Sequence, residues 1–337
     1  MVIDRVESLG QVDEDDCTIL SFIDGGYEIV QYLERAPVTL NSTSKTPVSR
    51  STVRRMLALA NIINFTALYI GLILILISLV KYSRMDKVIN CFSKRPDAVA
   101  RLICFPWAGG GSIHYARWGK ILTSIEVYAV KLPGREARAK EPFFQSMEQI
   151  VDEVINVLLP VLKEKPFALF GHSFGAMTSF AIADTLKRVH KLEPIHIFLS
   201  GASAPYSEMR IQAPKRSDLS DEEFLQWMTR IGGTPPELLA NPEVVKLFLP
   251  ALKADLHVVE NYRCDRPESP LLSCPVTCFD GKQDMPHDLQ AWKDISSGDF
   301  TVQMLPGAHF YLKDAANEKI ILDYITKYLE MAEMDYL

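Results

Sequence analysis

The sequence predicts an α/β fold: a mostly parallel central sheet flanked by helices, with an inserted helical segment. Ahead of it stands an N-terminal extension with one predicted transmembrane helix. Three observations predict this arrangement. From Arg101 onward, short apolar runs bounded by turn residues alternate with helical patterns. A Gly171-x-Ser173-x-Gly175 turn lies between one such run and the helical pattern after it. Residues 57–80 form a stretch of 24 residues without a charge.

The extension comes first in the chain. Residues 1–40 carry nine acids and two bases, and residues 41–55 (NSTSKTPVSRSTVRR) are Ser/Thr-rich and basic, so 1–55 reads as a poorly ordered tail and linker. The stretch 56–81 follows. At about 1.5 Å rise per residue the 24 uncharged residues 57–80 within it are long enough for a hydrocarbon core of about 30 Å, and it starts too far in for a cleaved signal peptide. Basic residues flank it on both sides (Arg54 and Arg55; Lys81, Arg84 and Lys87), so charge bias assigns no orientation.

Beyond it the predicted strands are 101–106, 126–132, 167–171, 195–200, 275–281 and 300–305. Between them, Met147 to Leu162 places Ile150, Val151, Val154, Ile155, Leu158 and Leu159 at helical spacing, and Phe174 to Val189 is a second helical pattern. The helix-rich block from Asp218 to Val259 breaks the alternation and reads as an insertion between two strands. The 337 residues are 48% hydrophobic and 23% charged, as a packed globular chain requires. A net charge of −6 speaks against a nucleic-acid partner, which asks for clustered bases. Six scattered cysteines without zinc spacing read as reduced thiols, and no metal site is expected.

The chemistry concentrates at three places. In Phe167-Ala-Leu-Phe-Gly-His-Ser-Phe-Gly, the turn exposes Ser173 at the head of a helix, whose first N–H groups can hold an oxyanion. A serine nucleophile needs a base oriented by an acid, and in this type of elbow the order along the chain is Ser, acid, His. His309 follows the last predicted strand, where such a base belongs, whereas His172 is expected to pack beneath the elbow. Asp280 and Asp284 both follow the strand 275–279. Asp284 is favoured because it stands a full loop further on and can reach back, while Asp280 can serve as a turn former. The glycine-rich turn Phe105-Pro-Trp-Ala-Gly-Gly-Gly-Ser supplies the remaining oxyanion donor, Trp107 or Ala108, alongside Phe174 N–H.

At these residues the sequence resembles the type II thioesterases of the α/β-hydrolase superfamily, most closely the medium-chain S-acyl fatty acid synthase thioesterases of animals. The resemblance rests on LICFPWAGGGS (102–112), LPGRE (132–136), FGHSFG (170–175), LSDEEF with GGTPPELL (219–224 and 232–239), LPALKADL (249–256), DGKQD (280–284) and LPGAHFYL (305–312). It implies an α/β-hydrolase thioesterase domain over 85–337, a triad of Ser173, Asp284 and His309, and a helical lid over 206–265. The implied reaction is hydrolysis of medium-chain acyl thioesters on the acyl carrier domain of fatty acid synthase, ending chain elongation. The implied setting is the cytosol, or the cytosolic face of a membrane if 57–80 anchors the chain. No cofactor is implied beyond the phosphopantetheine that the substrate carries. Phe224, Trp227, Met228, Leu239 and Phe248 suit an acyl tail, and would equally suit the packing of the lid itself. Residues 1–84 depart from the family pattern, as a membrane tether or as an alternative translation start would. Removal of aberrant acyl groups from a synthase, and lipid ester hydrolysis, are alternatives that use the same site.

Overall fold

Continuous apolar runs make strands that must be covered on both faces, and the sheet is built accordingly. The computed structural model describes residues 69, 70, 73, 84–231, 239 and 241–336. Seven strands form one sheet: β1 (Ile89–Asn90), β2 (Ala100–Phe105), β3 (Ile125–Val130), β4 (Phe167–His172), β5 (His196–Ser200), β6 (Val276–Gly281) and β7 (Phe300–Leu305). Their order is β1-β3-β2-β4-β5-β6-β7. Only β1 runs antiparallel, against β3. All other pairs are parallel.

Among the described residues the helices that follow β1 include α1 (Ile113–Ile121), α2 (Met147–Leu162), α3 (Phe174–His190), α4 (Glu208–Ile211), α5 (Asp221–Ile231), α6 (Pro242–Asn261) and α7 (Ala315–Tyr336). Ser146 caps α2 by accepting the Gln149 N–H, and the helix buries Ile150, Val154, Ile155 and Leu158. These side chains join Phe180 and Ile182 of α3 in one core. Tyr115 and Trp118 of α1 and Ile321 and Ile325 of α7 form another with Leu102, Phe170 and Phe279. The sheet therefore lies between α2 and α3 on one face and α1 and α7 on the other. Helices α4 to α6 interrupt the alternation between β5 and β6. Asn241 and Pro242 start α6, with the Asn241 side chain accepting from Glu243 and Val244 N–H. The insert has a small core of its own, made by Phe224, Met228, Val245 and Leu249.

One expectation is corrected. Among the described residues no helix is long and apolar enough to cross a membrane, so the transmembrane helix expected over 56–81 does not stand. A span needs about 20 consecutive helical residues, and of this stretch only Tyr69, Ile70 and Ile73 are described, all three helical. The remainder of 56–81, and the tail 1–55, lie outside the described residues.

Candidate active site

Parallel strands deliver their C-terminal ends to one edge of the sheet, and the candidate residues collect there. β4 leads into α3 through Ser173, whose φ of 57° and ψ of −115° place a non-glycine residue in strained backbone. Close approach explains the flanking glycines. A Cβ on Gly171 would stand 2.0 Å from Gly175 O, and one on Gly175 would stand 2.3 Å from Phe105 O. The elbow is also tied to β5, since Ser173 N–H donates to Ser200 O at 2.7 Å.

His309 follows β7, and its Nδ1 lies 2.7 Å from Asp284 Oδ2. That contact places the proton on Nδ1 and leaves Nε2 as the basic nitrogen. The loops that carry the two residues are stapled together. Lys282 N–H donates to Leu305 O at 2.8 Å, Gln283 N–H donates to Gly307 O at 3.0 Å, and Gly307 N–H donates to Gln283 Oε1. Asp280 goes elsewhere. Its Oδ2 holds His287 Nδ1 at 2.9 Å, and its Oδ1 accepts Gly281 N–H at 2.9 Å. His287 follows both acids closely in the chain, and nothing in the spacing tells which imidazole each acid meets. Asp284, His287 and His309 bring possible metal-ligand atoms within 4.8 Å of one another. Both Nδ1 atoms, however, already have carboxylate partners, which is the arrangement of an acid–base site.

His172 lies beneath, fully buried, with its ring centroid 4.8 Å from that of His309. Its Nδ1 meets Ser200 Oγ at 2.8 Å, and Ser200 Oγ meets the Tyr311 hydroxyl at 2.5 Å. Burial drives the His172 pKa well below the ordinary imidazole value, with the nearby His309 adding to the shift. His172 is thus a neutral floor to the site.

Phe174 N–H is the first of α3 and has no acceptor within the helix. On the facing turn, Gly109 N–H is spent on Asp255 Oδ2 at 2.8 Å, which leaves the Trp107 and Ala108 N–H groups as the candidate donors there. The Trp107 ring packs edge-on against Tyr115 and Phe310, and the Lys313 ammonium stands 4.9 Å from its centroid. Asp255 belongs to α6 and also takes a two-pronged contact from Arg135, with Nη1 at 2.5 Å and Nη2 at 2.8 Å. Both side chains are more than nine-tenths buried. The insert is thereby fastened to the glycine-rich turn at Gly109. Sequence reading missed this pair, although LPGRE and LPALKADL contain both members.

Two cavities meet at Ser173 and His309. The smaller, of 190 Å³, is walled by Trp107, Met228, Phe248, Leu252 and Phe310. The larger, of 490 Å³, runs beneath α4 and the end of α6, past His287. Of the residues expected to suit an acyl tail, Trp227, Met228 and Phe248 line the smaller cavity. Phe224 and Leu239 line neither: Phe224 is fully buried in the insert's own core, and Leu239 packs against that core. For these two, packing within the insert is the observed role.

Comparisons with known proteins bear on the family of the whole chain. A family model described as a thioesterase domain matches residues 100–328. The medium-chain S-acyl fatty acid synthase thioesterase of Rattus norvegicus is 49% identical over 255 residues, 75% of this chain and 97% of its own. Among solved structures, human thioesterase 2 aligns with a TM-score of 0.55 at 40% identity, over 70% of this chain and 98% of its own. The type II thioesterase BorB, from the borrelidin biosynthetic cluster, aligns with a TM-score of 0.62 at 31% identity, over 72% and 97%.

Proposed function

Because this chain belongs to the thioesterase family and is a thioester hydrolase, we propose that it removes medium-chain fatty acyl groups from the acyl carrier domain of fatty acid synthase. Elongation then ends early, and the free acid is released. The observation that carries the chemistry is the Asp284–His309 contact of 2.7 Å beside a strained, cavity-facing Ser173.

In the proposed first half, Ser173 Oγ attacks the thioester carbonyl while His309 Nε2 takes its proton. The oxyanion is held by Phe174 N–H and by Trp107 or Ala108 N–H. Collapse expels the thiolate, which receives the proton back from His309, and an acyl-Ser173 ester remains. In the second half His309 deprotonates a water that attacks this ester, and the proton returns to Ser173 Oγ as the acid leaves. Asp284 holds the imidazole tautomer and stabilises the imidazolium formed in each half. The smaller cavity takes the acyl tail and the insert acts as its lid. The steps draw on side chains and water alone, so we propose no bound metal or cofactor; phosphopantetheine arrives with the substrate. The proposed setting follows the partner, in the cytosol.

Thiol release from acyl–carrier protein substrates of graded chain length tests the proposal. We expect a maximum at medium chains with the free fatty acid as product. A maximum at acetyl or other short groups would favour the editing role, which the likeness to BorB keeps in view. Faster turnover of matched oxygen esters would count against a thioesterase.

A further inference from the structure

The larger cavity carries a charge pattern that hydrolysis itself does not use. Arg210, Lys215, Arg216 and Arg263 line it together with Ser173 and His309, and Glu260 is the single acid among its described lining residues. That carboxylate is committed to the backbone, accepting from Arg216 N–H at 2.7 Å and Ser217 N–H at 2.9 Å. Among the described residues none of the four cations belongs to an ion pair, whereas Arg101, Arg135 and Arg138 each meet a carboxylate. Their hydrogen bonds run to uncharged groups: Arg210 donates to the Val259 carbonyl and to the Pro205 and Tyr262 carbonyls at 2.9 and 3.0 Å, and Lys215 to the Asn261 amide oxygen at 2.5 Å. Arg263 donates to the Glu260 and Tyr262 carbonyls at 2.8 and 3.1 Å, and the Arg216 guanidinium lies 5.7 Å from the Trp227 centroid. Four like charges thus converge on one cavity of a chain whose net charge is −6. Their mutual repulsion falls when an anion enters.

The occupant must also reach the reacting serine, because the same cavity holds Ser173 and the cations. A molecule that fits is a thioester joined through a flexible arm to a phosphate. We infer that these cations form a phosphate-binding subsite for the pantetheine arm, with the thioester at Ser173 and the acyl tail in the smaller cavity. This rests on the thioesterase reading above. A phosphodiester on a carrier protein and the pyrophosphate of coenzyme A share the recognising chemistry.

The test uses the full chain and decanoyl thioesters of 4′-phosphopantetheine and of pantetheine, which differ only in the phosphate. We expect kcat/KM to be about tenfold higher for the phosphorylated substrate, chiefly through KM, with the difference shrinking at high salt. In the double variant Lys215→Ala, Arg263→Ala the ratio should fall to about one, and Lys215→Arg with Arg263→Lys should restore it. A ratio near one in the unaltered protein, or a ratio that survives the double alanine variant, would overturn the subsite. Decanoyl–carrier protein and decanoyl–coenzyme A, assayed in parallel, should both lose rate in the variant. Loss confined to the carrier-borne substrate would overturn it in favour of contacts with the carrier's own surface. Failure to hydrolyse any of these thioesters would bring down the thioesterase reading instead. Calorimetric binding of free 4′-phosphopantetheine against pantetheine then still reads the subsite.

Discussion

At the scale of single residues, two aspartates four positions apart are separated by their partners rather than by their type. Asp284 meets His309 and Asp280 meets His287. Replacing Asp284 with Asn keeps the shape but removes the charge that stabilises an imidazolium, and kcat is expected to fall by roughly 10³ to 10⁴. The same change at Asp280 should lower kcat less than about tenfold, and steady-state thiol release on the two variants separates them. Comparable losses from both would show that the His287 pair belongs to the reacting unit. Ser173 and His309 were legible in the sequence because a nucleophile elbow and a post-strand histidine are local patterns. The choice between the two acids could only be argued from loop reach, since the pairing depends on how the 280–284 loop is stapled to the 305–309 loop.

At the scale of elements, the strands were legible because β2 to β6 are buried on both faces, and such runs stand out in any window. β1 was not: its two residues carry no periodicity. α7 repeats the apolar spacing of α2 at Ile321, Leu322, Ile325 and Leu329, but among the described residues it is not set between two strands, so strand–helix alternation does not announce it. The fastening of the insert was equally hidden, because Arg135 and Asp255 lie 120 positions apart. Breaking a buried charged pair on one side leaves the other charge without its partner. Asp255→Ala is therefore expected to cost about 3 to 5 kcal/mol and to loosen the Gly109 turn as well. Urea denaturation measures the first effect and kcat the second. Full stability in this variant would show that α6 is held by its apolar face alone.

For the whole molecule, the buried histidines link stability to pH. Burial lowers the pKa of His196 to about 3 and that of His172 well below its ordinary value. Both are neutral when folded, and both take up a proton when unfolded once the pH drops below about 6.5. Their contribution is therefore complete above that pH and is lost as the pH falls toward the folded values, at about 1.4 kcal/mol per pH unit for each. Urea midpoints at neutral and mildly acidic pH should show this slope, and His196→Gln should reduce it; an unchanged slope would mean that His196 charges within the fold. The fold class of the core was legible from alternation alone. The membrane span was an inference from composition that the described helices do not support. Everything at the site converges on one claim, that an acyl group passes through Ser173. The most direct measurement is mass spectrometry of the full chain quenched during turnover of a decanoyl thioester, with the adduct located by peptide mapping. We expect a decanoyl mass on the Ser173 peptide, absent from Ser173→Ala together with thiol release. Turnover that persists in Ser173→Ala, or an acyl group found on another residue, would contradict it.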